Sequence, residues 1–319
     1  MSSVIESLRS RAAGRLRRIL LPETQDPRIL EAARCIQQGK LAIPVVLGRR
    51  DCPNRDALSR LEVIEWDDVR LVDACTQQLF ENRRHKGISR ADAAKALDDP
   101  LLYAALLVKI GAVDGAVAGS VASTSSVIRA ALYGVGMAEG CETVSSFFLM
   151  QFPDRAVTFS DCGVVPKPNA HQLAEIAIAA AKSHRVLTGQ TPRVAMLSFS
   201  TLGSAEHEEV DKVRLALDFV KQRQPELMID GELQFDSAWV PEVAARKAHG
   251  SPIAGQANVF IFPDLNSGNI AYKITERLGG AQALGPLIQG LQRPFMDLSR
   301  GCQVQDIVDV AVIASNLAD

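Results

Sequence analysis

The sequence has no strong excess of either charge. Its 35 basic and 37 acidic residues leave a net charge of −2, which argues against nucleic acid or a membrane surface as a partner, although a local basic cluster can still hold a small anion. It has no CxxC pair. The six cysteines lie scattered at positions 35, 52, 75, 141, 162 and 302, a dispersion that fits a reduced cytoplasmic protein better than a disulfide framework or a zinc site. No window is apolar for the length of a membrane span. The start, MSSVIESLRSRAAGRLRRILLPET, is charged throughout, and its apolar run ILLP is too short for a signal peptide, so it reads as a solvated amphipathic helix. There is no internal repeat, low-complexity tract or long linker. Neither the GxxxxGKS/T spacing of a P-loop nor a GxGxxG fingerprint occurs, and metal-binding aspartates do not cluster. His85, His171, His184, His207 and His249 show no metal-ligand spacing and read as surface or packing residues, with His207, in a loop, the one worth testing. The expectation is a protein that needs no metal, cofactor or disulfide.

What is present is an alternation. At 319 residues the chain suffices for two moderate domains. An apolar, β-rich run is repeatedly followed by a Gly/Ser/Asn/Pro loop and then a helical pattern. LAIPVVLG (followed by the loop RRDCPNRD), VDGAVAG, AVTFSD, RVAMLSFS and ANVFIFP read as strands. AHQLAEIAIAAAKSH presents Leu173, Ile176, Ala177 and Ala180 on one face, with Asn169 where an N-cap belongs. Strands and helices alternating at this spacing indicate an α/β protein with largely parallel sheets. The order suggests two of them: residues 1–143 as one domain, completed by a returning C-terminal helix at 299–319, and residues 144–298 as the other. Ligands of α/β sheets settle beyond the carboxyl ends of strands, so the site is expected between the two domains.

Three strand–loop–helix units carry loops rich in small hydroxyl or amide residues: GSVASTSS with Ser123 and Thr124, FSTLGSAEH, and FPDLNSGN with Asn266 and Ser267. A helix start offers unpaired N–H groups and the positive end of a dipole, suited to phosphate, but such loops also cap helices in any α/β protein. Arg129 falls in the first turns of a helix, where a cation is unfavourable, which suggests either an anionic partner or a salt bridge. Arg83, in the basic knot before GISRADAAKAL, and Arg277, near another helix end, read either as anion ligands or as solvated helix ends. Ser299, Arg300, Gly301 and Cys302 precede a terminal helix beginning near Gln303, with Asp306 in its first turn. A carboxylate there often only caps the helix. Beside a guanidinium and a hydroxyl it can also accept a proton while a neighbouring charge is held.

Through LPETQDPRILEAA, RRHKG, DPLLYAALLVKIGAVDGAVAG, VASTSSVIRAAL, FSDCGVVPKPNAHQLAEIAI, PRVAMLSFST, DGELQFDSAWVPEVA, NVFIFPDLNSGNIAYKI, GPLIQGL and DLSRGC, the sequence resembles the phosphate acetyltransferase (phosphotransacetylase) family over nearly its whole length. The length is that of the short form. DGELQFDSAWVPEVAARKA and GNIAYKITERLGG are similar to the ethanolamine-utilisation branch. The resemblance implies two α/β domains with a cleft between them, a fold shared with isocitrate and isopropylmalate dehydrogenases, and a homodimer. It implies reversible acetyl transfer between acetyl phosphate and coenzyme A, with coenzyme A as substrate and no cofactor.

Carried onto this sequence, the resemblance makes Asp306 the base toward the coenzyme A thiol, and Ser299 and Arg300 the pair that positions and stabilises the acyl phosphate. Arg83, Arg129 and Arg277 would bind coenzyme A or phosphate. Cys162, in SDCGVVP, would be a thiol near the site that is not required as a nucleophile. The residue types suit direct attack. A thiol of pKa near 8.5 benefits from a base, and a guanidinium and a hydroxyl can stabilise the developing oxyanion and the departing phosphate. A phosphate butyryltransferase with a roomier acyl pocket, a decarboxylating dehydrogenase on the same fold and a non-catalytic subunit are the rival readings. Two departures stand out: Gln303 replaces the small hydroxyl residue that often follows SRGC, and FSTLGSAEHEEV is shorter than in some members.

Overall fold

The computed structural model describes residues 4–48, 55–253 and 255–318. Cys52 and most of the loop RRDCPNRD lie outside the described residues. In chain order the strands are β1 (Arg18–Leu21), β2 (Ile43–Gly48), β3 (Glu62–Glu65), β4 (Gly115–Ala118) and β5 (Ser145–Gln151). They continue as β6 (Ala156–Ser160), β7 (Val194–Leu197), β8 (Ile229–Leu233), β9 (Val259–Ile261), β10 (Gln282–Gln289) and β11 (Phe295–Asp297). The chain divides into a terminal unit, Ile5–Glu139 with Leu291–Asp319, and a central unit, Met1–Val4 with Gly140–Gly290.

The terminal unit is built on a five-stranded parallel sheet in the order β11-β4-β1-β2-β3. Apart from the edge strand β3, which carries Glu62 and Glu65, its strands are short and largely apolar, as expected of parallel strands covered on both faces by helices. The chain returns to this unit at Leu291, earlier than the 299 read from the sequence, because Phe295–Asp297 pairs with β4 before the last helix begins. That helix, Val304–Leu317, packs on helix Pro27–Gln38 and on β4, burying Ile307, Val308, Val310, Ala311, Val312 and Ile313. The first helix, Val4–Ala13, is amphipathic as its sequence suggests, with Glu6, Ser7, Ser10 and Arg11 exposed. Leu8 and Ala12 are buried, and Arg9 reaches Asp309 of the last helix at 2.7 Å. Burial pushes the Asp309 carboxyl up, against the pull of Arg9.

The central unit carries a six-stranded mixed sheet, β10-β5-β6-β9-β7-β8. The β6, β9, β7 and β8 strands run parallel, whereas β10, β5 and β6 form antiparallel pairs. Helix Ala170–Thr188 covers this sheet with the predicted face, burying Leu173, Ile176, Ala177 and Ala180. Asn169 opens it through a capping box: its side chain accepts from the Gln172 N–H at 2.9 Å, and Gln172 Oε1 accepts from the Asn169 N–H at 3.0 Å. His184 of the same helix is fully buried, bonded to Thr158 at 2.9 Å, and burial lowers its pKa to about 4, so it is a neutral packing residue at ordinary pH. Among the described residues no helix is long and apolar enough to cross a membrane, and no group of three or more His, Cys, Asp or Glu could hold a metal ion.

Candidate active site

In the terminal unit, strand β11 delivers the chain to an exposed turn, Ser299–Cys302, closed by the Cys302 N–H donating to Ser299 O at 2.9 Å. The Gly301 N–H lies 3.3 Å from the Ser299 hydroxyl oxygen, which accepts from it. Arg300 projects from the turn with its side chain exposed. The helix that follows is capped by Asp306, whose Oδ2 accepts from the Gln303 N–H at 2.8 Å. Capping therefore uses one oxygen of this exposed carboxylate and leaves the other open to a second partner. The last residue of the turn, Cys302, is by contrast buried, and burial raises its thiol.

Beside this turn stands the loop GSVASTSS. Its first N–H groups are not open to a ligand. The buried Glu23 carboxylate accepts from Gly119 N–H at 2.7 Å, Ser120 N–H at 2.8 Å, Val121 N–H at 3.2 Å and Ala122 N–H at 2.8 Å, and from the Ser120 hydroxyl at 3.1 Å. Ser123 caps the helix Thr124–Gly134, accepting from the Ser126 N–H at 3.2 Å. Thr124 donates its hydroxyl to Asp297 Oδ2 at 2.6 Å. Burial pushes the Asp297 carboxyl up to about 6, opposed by this bond. Gly119 is required here. Its φ of +103° disfavours a side chain, and a Cβ would stand 2.4 Å from Asp297 Oδ1.

Helix Thr124–Gly134 also gathers two of the predicted arginines. Arg129 lies on it, exposed, and Arg83 stacks its guanidinium 4.0 Å from the ring centre of Tyr133.

In the central unit, Cys162 follows β6 and is fully buried. Burial, with neighbouring Asp161 adding to it, raises its thiol well above the ordinary value, the opposite of what a nucleophile needs. Asp161 binds its own loop and the adjacent strand, accepting from the Ser146 hydroxyl at 2.6 Å and N–H at 3.1 Å, and from the Val165 N–H at 2.6 Å. Helix Leu265–Arg277 starts against this loop. A Cβ on Gly268 would lie 2.2 Å from Asp161 O and 3.2 Å from the Cys162 sulfur, so only glycine allows the approach. Asn269 donates to Cys162 O at 3.2 Å. The start of this helix is capped internally by Asp264, which accepts from the Ser267 N–H at 2.8 Å, while the Ser267 hydroxyl donates to Asp264 O. Asn266 is exposed. Arg277 is not brought to Cys162. It stands at the far end of the helix, about 15 Å beyond Ser267 at 1.5 Å per residue, exposed and 3.4 Å from Glu276.

The third small-residue loop, FSTLGSAEH, repeats the pattern of the first. Glu232 of β8 accepts from the Ser200 hydroxyl at 2.7 Å, the Gly203 N–H at 2.9 Å and Arg214 at 2.8 Å. Burial would raise this carboxyl, but the Arg214 bond and the two loop donors outweigh it and hold its pKa at about 2. His207 is a helix cap, its Nδ1 accepting from the Glu209 N–H at 3.1 Å. Sequence reasoning missed Glu23, Asp161 and Glu232 as organisers of the loops. Their only local signal is an acidic residue within or just past an apolar strand.

A family model described as "Phosphate acetyl/butaryl transferase" matches residues 3–315. The chain belongs to that family of phosphate acyltransferases. A phosphate acetyltransferase of Thermoanaerobacterium thermosaccharolyticum is 44% identical over 97% of this chain and 97% of its own. Among solved structures, a EutD phosphotransacetylase from Staphylococcus aureus is 37% identical with a TM-score of 0.93, covering 100% of both chains. A phosphotransacetylase from Streptococcus pyogenes is 39% identical, also with a TM-score of 0.93, over 99% of this chain and 98% of that one.

Proposed function

We propose that the Ser299–Cys302 turn and Asp306 carry the chemistry of this acyltransferase, which interconverts acetyl-CoA plus phosphate with acetyl phosphate plus coenzyme A. The observation that supports this most is the turn itself: a hydroxyl, an exposed guanidinium and a carboxylate with one oxygen uncommitted, presented together at the start of a deeply anchored helix. In the proposed reaction Asp306 accepts the proton of the coenzyme A thiol. The thiolate attacks the acetyl carbonyl, and the C–O bond to phosphate breaks as the C–S bond forms. Arg300 and Ser299 stabilise the charge that passes through the carbonyl oxygen to the departing phosphate. No acyl-enzyme is required, and the buried, raised thiol of Cys162 is consistent with a reaction that does not use it.

Arg83, Arg129 and Arg277 are proposed to bind the phosphates of coenzyme A. Replacing each by Ala is expected to lower kcat/KM roughly tenfold or more without unfolding the chain, since a charge-assisted contact contributes about 1.5–3 kcal/mol. Thiol-release kinetics measured against coenzyme A concentration test this. Unchanged kinetics in all three variants would mean that these side chains only solvate helix surfaces.

A homodimer belongs to the same proposal. Helix Leu265–Arg277 and the residue after it leave Ile270, Ile274 and Leu278 exposed by 57%, 52% and 84%, spaced by four so that they line one face. Sedimentation equilibrium should return the mass of two chains, and a single-chain mass at micromolar concentration rejects the dimer.

A further inference from the structure

We infer that Arg28 is a positioning residue for acyl transfer, a clamp that fixes the backbone of the Ser299–Cys302 turn and through it the direction of Arg300. Arg28 occupies the first turn of helix Pro27–Gln38, where the dipole disfavours a cation, so its presence calls for a specific partner. It has several. A guanidinium carries five N–H donors in a rigid fork, and here all five are engaged. Nε lies 3.1 Å from both Asp26 oxygens, and Nη2 donates to Asp26 Oδ2 at 2.7 Å and to Ser120 O at 3.0 Å. Nη1 donates to Arg300 O at 3.0 Å and to Cys302 O at 2.7 Å.

An ion pair with Asp26 alone would satisfy the charge. The three carbonyls go further, because they belong to two loops that are 92 and 272–274 residues distant in the chain. The two carbonyls of the turn flank Gly301, so the clamp grips it on both sides of its most flexible residue. It holds the main chain of Arg300 and leaves that residue's side chain exposed, with no ion pair among the described residues. Asp26 stays ionised as the anchor of the clamp. Burial would raise its carboxyl, but the bonds from Arg28 outweigh it and lower the pKa. Nothing local in the sequence hints at the role, since a Pro-Arg pair at a helix start reads as surface.

The inference rests on the proposed role of the turn, and the test separates the two. Arg28→Lys, Arg300→Ala and the double variant are compared in the thiol-release assay, with circular dichroism confirming that each is folded at the assay temperature. Lysine keeps the charge, but its single nitrogen cannot span the same acceptors. Arg28→Lys is expected to lower kcat about tenfold to a hundredfold, as a misplaced reacting group does, with both KM values changed less than about threefold. The double variant should be no more than about twofold slower than Arg300→Ala, because the clamp acts through the residue already removed. Wild-type kcat in Arg28→Lys, with Arg300→Ala crippled, overturns the clamp alone. So does a double variant whose losses multiply, or a loss that only tracks the unfolded fraction. A fully active Arg300→Ala overturns the role of the turn and the clamp with it.

Discussion

Asp306→Asn should fold normally and turn over about 10²–10⁴-fold more slowly, the usual contribution of a general base, with kcat falling further than the KM for coenzyme A rises. The local geometry makes this substitution a clean test. Asparagine keeps an oxygen where Asp306 Oδ2 accepts from the Gln303 N–H, so the helix start survives and only the proton acceptor is lost. Removing a negative charge from a first helical turn costs about 0.3–1 kcal/mol of stability, too little to unfold a domain. The rate deficit should narrow as pH rises toward the pKa of the free thiol near 8.5, because more coenzyme A then ionises unaided. Steady-state kinetics of a folded Asp306→Asn protein across pH 6–9 decide the matter. Near-normal turnover would reduce Asp306 to a cap and remove it from the mechanism.

The second large effect is on stability. Glu23→Gln should destabilise the terminal unit by about 2–5 kcal/mol, measured as a shift of the urea midpoint at constant slope. The carboxylate accepts from four consecutive backbone N–H groups and one hydroxyl while almost wholly buried. Glutamine has the same shape, but it turns one acceptor into an amide NH2 group facing N–H groups, leaving buried donors unsatisfied and repelling them. If Glu23→Gln unfolded within about 0.5 kcal/mol of the parent chain, the loop would be holding itself, and the carboxylate would be a passenger. The same substitution should slow turnover, because Ser120 O of this loop is one of the carbonyls that Arg28 grips.

Legibility in the sequence divides according to distance along the chain. Short-range features were legible from the residues alone: the alternation of strands and helices, the Asn169 cap, the apolar face from Leu173 to Ala180, and the turn from Ser299 into a terminal helix with Asp306 in its first turn. Each depends on contacts within a few residues, where side-chain periodicity and capping chemistry are fixed by backbone geometry. Strand β8 was less legible, because IDGEL reads as polar and yet is buried throughout. Its Glu232 is charged for the sake of a loop on the neighbouring strand. The family was legible too, because long motif blocks survive as strings.

What the sequence alone left undecided was the occupancy of the loops. GSVASTSS and FSTLGSAEH look like anion cradles, and their composition is right for it, but in the folded chain carboxylates of the protein already hold the Gly119–Ala122 N–H groups of the first and the Gly203 N–H of the second. The physical reason is sheet order. Glu23 lies just past β1, which pairs with β4, and so meets the loop that follows β4; Glu232 lies on β8, which pairs with β7, and meets the loop that follows β7. Arg28 reaches Ser299–Cys302 for the same reason, since β4 pairs on one side with β1, which leads to its helix, and on the other with β11, which leads to the turn. Residues from 29 to 274 positions distant become neighbours only when strands pair, and no local pattern records which strands will do so.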